Sequence, residues 1–85
     1  MLLRQMKYFA AVVDCASFTE AAGRCFISQS AISQQIQSLE RELGVELLDR
    51  RNRRFELTAA GEYFYSRCKV ILSQADDAVR ETKRL

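Results

Sequence analysis

Residues 28–44 constrain the fold more than any other part of this chain, because two different stripes follow the spacing of one α-helix. Apolar residues recur along one side at helical spacing and predict a face that packs into a core. They are Ile32, Ile36, Leu39 and Leu43. A second side, here called the polar face, holds only uncharged polar residues. They are Gln29, Ser30, Ser33, Gln34 and Gln37.

The composition of the polar face is unusual for a helix surface in water, which normally carries Lys and Glu. Ser and Gln side chains donate and accept hydrogen bonds, and this suits them to the edges of nucleic-acid bases. Chance polarity of an ordinary solvated face is the alternative interpretation. Ser28 precedes the segment as an N-cap, and Gly44 ends it as a left-handed C-cap.

Two helices are predicted before this one. The first runs from about Arg4 to Cys15, with apolar residues at helical spacing. The second begins at Ser17, where residues 17–20 form a capping box: the Ser17 hydroxyl accepts the Glu20 amide, and the Glu20 carboxylate returns to Ser17. Residues 25–27 then close the second helix and form a turn.

Residues 47–57, here called the wing segment, contain two short apolar stretches around a basic run. The stretches 47–48 and 55–57 are strand candidates, and four arginines fall within residues 50–54. This pattern predicts a β-hairpin with a basic tip, pinned to the core by its apolar ends. A solvated loop is the plain alternative for an arginine run.

A final helix is predicted from Thr58 to the end of the chain. Along it, a stripe of mostly apolar residues follows alternating steps of four and three positions, a pattern typical of a helix that pairs with a partner helix. The stripe comprises Phe64, Cys68, Ile71, Ala75, Ala78, Thr82 and Leu85. Packing on the same domain is the alternative for Phe64 and Cys68. From Ala75 onward we expect the helix to extend beyond so small a globule.

Composition narrows the class of protein further. The 85 residues contain no Pro and three Gly, which favours a mostly helical single domain. With no His and three widely spaced Cys, we expect no metal site and no cofactor, but three reduced thiols in a cytoplasmic protein. No apolar run is long enough for a membrane span. An enzyme is the weakest alternative, since no Cys has a plausible base and no Gly-rich phosphate loop is present.

The predicted order of elements is that of a winged helix-turn-helix. Within that order, several stretches follow one family's pattern. They are residues 3–9, 17–22, 27–33 and 39–44, then Leu47, Arg50, Arg53, Leu57, Thr58, Ala60 and Gly61. Together these stretches, which extend over essentially the whole chain, resemble the N-terminal domain of bacterial LysR-type transcriptional regulators.

The resemblance implies a mostly α fold: a three-helix core, a short β-hairpin wing and a long C-terminal linker helix. It divides the chain into a winged helix-turn-helix DNA-binding domain at 1–58 and a linker and dimerisation helix at 59–85. It further implies a homodimer that binds A/T-rich inverted repeats in double-stranded DNA. A small-molecule effector would act only through a larger domain that is absent from this chain.

Roles for individual residues follow from this resemblance as a hypothesis. Phosphate binding is expected at the N-terminus of the recognition helix, base contacts along the polar face, and minor-groove or backbone contacts from the wing segment. The expected DNA-binding residues are Ser28, Gln29, Ser30, Ser33, Gln34, Gln37, Arg51, Arg53 and Arg54. The expected dimerisation residues, here called the dimer stripe, are Phe64, Cys68, Ile71, Ala75 and Ala78.

Three residues depart from the family pattern. Ser30 replaces a usual Pro and restores an amide, Gln34 stands where Arg is common, and Cys25 replaces a common Leu. Gln34 is expected to shift a base preference from guanine towards adenine. Two other interpretations stay open: a helical module that binds protein, and a winged helix of another family or with an RNA target.

Overall fold

Four α-helices form in the residues that this computed structural model describes, 3–51 and 54–85. They are α1 (Leu3–Cys15), α2 (Phe18–Arg24), α3 (Gln29–Leu43) and α4 (Ala59–Lys83). The four helices predicted from the sequence are confirmed. None of the helices in these ranges is long and apolar enough to cross a membrane.

The helices begin where the sequence provides a side-chain cap. The Ser17 hydroxyl accepts the Glu20 amide at 3.1 Å, and the Ser28 hydroxyl accepts the Ala31 amide at 3.1 Å. The capping box also predicts that the Ser17 amide donates to the Glu20 carboxylate. In the structure, that amide donates instead to the Val12 carbonyl at 3.4 Å. At the end of α3, Gly44 has a φ of 74°, the left-handed conformation expected from its type.

The turn between α2 and α3 is held by two backbone hydrogen bonds. The Phe26 amide donates to Gly23 at 3.3 Å, and the Ile27 amide donates to Ala22 at 3.1 Å. Phe26 has a φ of 58°, at a position where glycine is the usual residue. This arrangement confirms the predicted turn and makes α2 and α3 a tight helix-turn-helix.

The core lies between α1, α3 and the first half of α4. Its largest fully buried side chains are Phe9, Val12, Ile32, Ile36, Leu39, Leu47 and Cys68. The predicted apolar stripe of α3 is buried except for Leu43, which is 36% exposed. That expectation was wrong because Leu43 is the last residue of α3, where the chain turns away at Gly44.

α4 belongs to the same folded unit as the other helices. The Phe64 ring lies 5.7 Å from that of Phe9, and Cys68 is fully buried in the core. The core thus extends across residue 58, where the sequence analysis divides the chain. Leu3 of α1 lines one groove with Ala75 and Val79, and residues 78–85 are all exposed, so the last two turns of α4 extend beyond the core.

The wing segment forms less β-structure than the sequence predicts. In residues 3–51 and 54–85, its only pairing is an isolated antiparallel bridge between Leu48 and Leu57, flanked by an Asp49 amide that donates to Glu56 at 2.9 Å. The predicted strands are thus reduced to one bridge. Asn52 and Arg53, at the predicted hairpin tip, lie outside the described residues.

The start of α4 is fastened to the start of the wing segment. Thr58 donates its amide to the Leu47 carbonyl at 3.1 Å and its hydroxyl to the Glu46 carbonyl at 2.6 Å. The same hydroxyl accepts the Gly61 amide at 2.9 Å. A Cβ at Gly61 would overlap the Leu47 carbonyl oxygen, so the close approach requires glycine there.

Candidate nucleic-acid interface

The polar face of α3 is directed away from the core, as the sequence predicted. Gln29, Ser30, Gln34 and Gln37 are exposed, as is Ser28, whereas Ser33 is half-buried. The first amides of a helix have no acceptor in its own ladder, so this N-terminus can bind an anion. The surface combines phosphate-binding capacity with side chains that donate and accept hydrogen bonds.

One α3 glutamine has a different environment. Gln35 is half-buried, and its Oε1 accepts a hydrogen bond from Gln5 Nε2 of α1 at 3.3 Å. This contact joins α1 to α3 beneath the surface. Gln35 therefore does not belong to the polar face, as the sequence analysis defined that face.

Arg50, whose side chain is 42% exposed, is directed towards α3 and anchors the wing segment to it. Its Nη2 lies 2.9 Å from Glu40 Oε1, and its Nη1 donates to Glu40 Oε2 at 3.1 Å. The same carboxylate accepts the amides of Leu47 at 2.7 Å and Leu48 at 3.3 Å. Burial would raise the pKa of Glu40, but the hydrogen bonds from Arg50, Leu47 and Leu48 outweigh it and lower that pKa.

Glu40 was not identified by the sequence analysis. It is 8% exposed and organises the base of the wing segment. A signal was present in the sequence: Glu40 follows Ile36 by four positions, so the helical period places it on the core side of α3. Its charge hid that position.

Arg51 and Arg54 are directed to solvent. The Arg51 side chain is 88% exposed and pairs with Asp49, with Nη2 3.0 Å from Oδ2. Hydrogen bonds from the Arg51 side chain and amide lower the pKa of Asp49. Arg54 is exposed, and Arg53 lies outside the described residues. Of the three expected wing arginines, the structure therefore places two on the surface.

Cys15, Cys25 and Cys68 are free in the structure. Burial raises the pKa of Cys68 to about 11, so that thiol stays protonated at neutral pH. Cys15 is half-buried and accepts a hydrogen bond from Arg24 Nη1 at 3.2 Å. Within residues 3–51 and 54–85, no group of three or more His, Cys, Asp and Glu could hold a metal ion.

The dimer stripe divides between the core and the surface. Cys68 is fully buried and the Phe64 ring packs on Phe9, so both side chains make contacts within the chain. Ile71 and Ala75 are half-buried, and Ala78 is exposed. Two apolar residues outside the dimer stripe, Val79 and Leu3, are 55% and 49% exposed and line a groove of about 360 Å³ between α1 and α4.

The arrangement of α1, α2 and α3, with an outward polar helix, defines a helix-turn-helix protein. The sequence profile described as "Bacterial regulatory helix-turn-helix protein, lysR family" matches residues 3–62. This chain belongs to that family. The predicted class is thereby confirmed, while the hairpin of the wing is limited to the single bridge in the described residues.

Individual relatives agree with this assignment. The chain is 46% identical over 85 residues to the HTH-type transcriptional regulator BenM of Acinetobacter baylyi, a match that covers all of this chain and 28% of BenM. The chain thus spans about a quarter of that relative's length.

Two solved structures are also similar. A crystal structure of the BenM DNA-binding domain with catB site 1 DNA matches with a TM-score of 0.94 and 46% identity, covering 99% of this chain and 93% of that one. The complex of the CbnR DNA-binding domain with DNA matches with a TM-score of 0.89 and 42% identity, covering 99% and 97%.

Proposed function

We propose that this chain binds double-stranded DNA sequence-specifically, as the DNA-binding part of a LysR-type transcriptional regulator. The observation that carries the proposal is the exposed, uncharged polar face on a helix whose other side is fixed in the core. Such a helix offers base-reading side chains on a rigid support. The similar BenM and CbnR domains, both crystallised with DNA, support the same role.

In the proposed complex, α3 lies in the major groove with its N-terminus towards the phosphates. Ser28, Gln29 and Ser30 provide backbone contacts, while the exposed Gln34 and Gln37 reach base edges. Ser33 is half-buried and its side chain is short, so it fits a hydrogen bond to a base edge that lies close to α3. The wing segment, with Arg51, Arg53 and Arg54, lies against the minor groove or the backbone.

We further propose a homodimer formed through α4. Leu3, Ala75 and Val79 border an apolar groove that nothing in the described chain fills, and Ala78 lies exposed beside it. We expect α4 of a second copy to cover it, since a two-fold axis gives both copies the same groove and the same covering helix. Two domains joined in this way would read an inverted repeat, which the family resemblance makes rich in A and T.

The remaining roles are inferred from relatives that are longer than this chain. Its relatives are transcriptional regulators, which supports a role in binding rather than catalysis, in the bacterial cytoplasm. An effector would bind outside this chain, in the part of the relatives that the match does not cover.

Selection of duplexes from a random DNA pool tests the proposed function directly. We expect enrichment of a two-fold symmetric sequence, bound at least a thousandfold more tightly than random duplex at physiological salt. Double-stranded RNA of the same sequence provides the control. Equal affinity for selected DNA, random DNA and RNA would contradict the proposal.

The dimer is tested by Val79→Arg, which places a charge in the groove beside α1. We expect sedimentation to shift towards monomer, and binding to paired half-sites to fall more than binding to one half-site. Val70→Arg is the matched control, since Val70 is 45% exposed and lies nine residues earlier. At about 100° per residue, it is on the opposite side of α4. Equal sedimentation of the two variants would contradict this interface.

A further inference from the structure

Asp49 and Arg51 form a closed ion pair at the base of the wing segment. The Asp49 carboxylate accepts three hydrogen bonds from this one residue: from the amide at 3.0 Å, from Nε at 3.1 Å and from Nη2 at 3.0 Å. Asp49 is itself held in place, because its amide donates to the Glu56 carbonyl at 2.9 Å beside the Leu48–Leu57 bridge. The Arg51 guanidinium therefore has a rigid support.

The pair fixes a side chain that lies almost entirely in solvent. The Arg51 side chain is 88% exposed, whereas that of Asp49 is 15% exposed. An exposed ion pair contributes little to stability, and ordering a long side chain loses conformational entropy. Stability is thus a weak reason for this geometry. The pair instead fixes the orientation of the guanidinium. Asp49 occupies the edge formed by Nε and Nη2, and the edge formed by Nη1 and Nη2, here called the outer edge, is directed away from Asp49.

Arg51 retains unused donors on a second edge of its guanidinium. A guanidinium carries five N–H donors, and two of those on Arg51 are used by Asp49. Two of the remaining three lie on the edge formed by Nη1 and Nη2, and they can meet a phosphate or the acceptors of a base edge. Arg51 therefore keeps its directional contacts even while it is paired.

The pair also has no net charge, and this affects binding to DNA of any sequence. Non-specific attraction grows with the number of phosphates that cationic groups neutralise. With Asp49 beside it, Arg51 adds little to that attraction. The carboxylate thus opposes binding wherever the outer edge of Arg51 finds no well-placed acceptor.

We infer that Asp49 is a positioning residue that makes DNA binding by this chain more selective. It holds Arg51 in one direction, so that the outer guanidinium edge engages a duplex in one register, and its charge weakens binding to other duplexes. This inference rests on the proposed DNA-binding function. It assigns the acidic residue of a basic segment a role in discrimination rather than in affinity.

The test compares Asp49→Asn with Glu46→Gln. Glu46 is exposed and its charge also acts on Arg51, but it makes no hydrogen bond to Arg51, both residues lying in the described ranges. The two variants therefore change the net charge equally near Arg51, and only the first releases the guanidinium. The probes are a duplex selected by the wild-type chain and a random duplex of equal length.

For Asp49→Asn we expect tighter binding to random duplex and a log–log salt slope steeper by about 0.9. The ratio of selected to random affinity should fall about fivefold, the low end for one lost directional contact. Glu46→Gln should strengthen both affinities equally and leave the ratio unchanged. In an Arg51→Ala background, Asp49→Asn should no longer change the ratio.

Each outcome is decisive. A wild-type ratio in Asp49→Asn, or an equal fall in Glu46→Gln, overturns the inference, as does a fall that persists without Arg51. Thermal unfolding of Asp49→Asn should match that of the wild type, and a lower midpoint would assign Asp49 to the fold instead. A wild-type chain that does not distinguish any selected duplex from random DNA overturns the proposed function itself.

Discussion

Arg50 and Arg51 are adjacent in one basic run, and each pairs with a carboxylate. The Arg50 side chain lies against α3, whereas the Arg51 side chain extends into solvent. Arg50 is directed to Glu40, which is almost buried and also accepts two backbone amides. Arg51 is directed to solvent and is held by Asp49. The difference lies in where the acidic partner sits. The arginines of one run therefore do not share a single role, and the role of each depends on the carboxylate with which it pairs.

The same contrast divides the wing segment and the helices beside it into two parts, a base and an outer surface. The base comprises Glu40, Arg50, Leu47 and Gly61, which fasten the wing segment to α3 and α4. The outer surface comprises Arg51, Arg54 and the polar face of α3. If this division is correct, substitutions in the base change stability, and substitutions on the outer surface change DNA binding alone.

The largest effect is expected for Gly61→Ala in the base. The added Cβ would overlap the Leu47 carbonyl, and we expect the free energy of unfolding to fall by about 3 kcal/mol. Gly23→Ala is the matched control, because no atom lies within 4 Å of a Cβ there, and it should stabilise by about 0.5 kcal/mol. Chemical denaturation measures both, and equal effects would show that the base is not tightly packed.

The two arginines themselves give the next effect. Arg50→Ala removes charge-assisted hydrogen bonds from a nearly buried carboxylate and should lower the free energy of unfolding by about 2 kcal/mol. Arg51→Ala should leave unfolding unchanged and weaken binding to the selected duplex. The division would fail if denaturant unfolding responded equally to the two substitutions.

Gln34→Ala tests the outer surface away from arginine. The Gln34 amide can pair with adenine, so its loss should weaken binding to the selected duplex by about 1 kcal/mol and relax one base preference in each half-site. Unfolding should not change, since Gln34 is exposed. Binding to single-base variants of the duplex measures the preference. An equal loss on random DNA would assign Gln34 to the backbone contacts instead.

The smallest effect is a pH dependence that originates in the base. The pKa of Glu40 is lowered in the folded chain, so its contribution to stability is complete above the unfolded pKa of about 4.3 and is lost as the pH falls through the folded pKa. Between pH 5 and about 3, the wild type should lose more stability than Glu40→Gln. Parallel curves for the two proteins would mean that this carboxylate is not stabilised by folding.

Sequence reasoning succeeded where the determining interactions are local. Ser17, Ser28, Thr58 and Gly44 each bound a helix through contacts within a few residues, and their types alone indicate this. The polar face was equally readable, because its period is set by α3 itself. The family pattern then supplied the fold and the class of partner.

The rest depended on contacts between distant residues. The burial of Glu40 requires Leu47, Leu48 and Arg50 to return to it, and a charged residue gives no sign of that in advance. The need for glycine at position 61 comes from a carbonyl fourteen residues earlier. The groove that Leu3 forms with Ala75 and Val79 was not predicted, because nothing local shows that α1 lies beside α4.

The packing of α4 on α1 also determines when this domain can fold during synthesis. Phe64 packs on Phe9, and Cys68 is buried in the same core. The apolar surface of α1 is therefore covered only after more than fifty further residues have been synthesised. The helix-turn-helix is translated first but is completed last. On the ribosome, we therefore expect the polar face of α3 to become rigid only after much of α4 has left the exit tunnel.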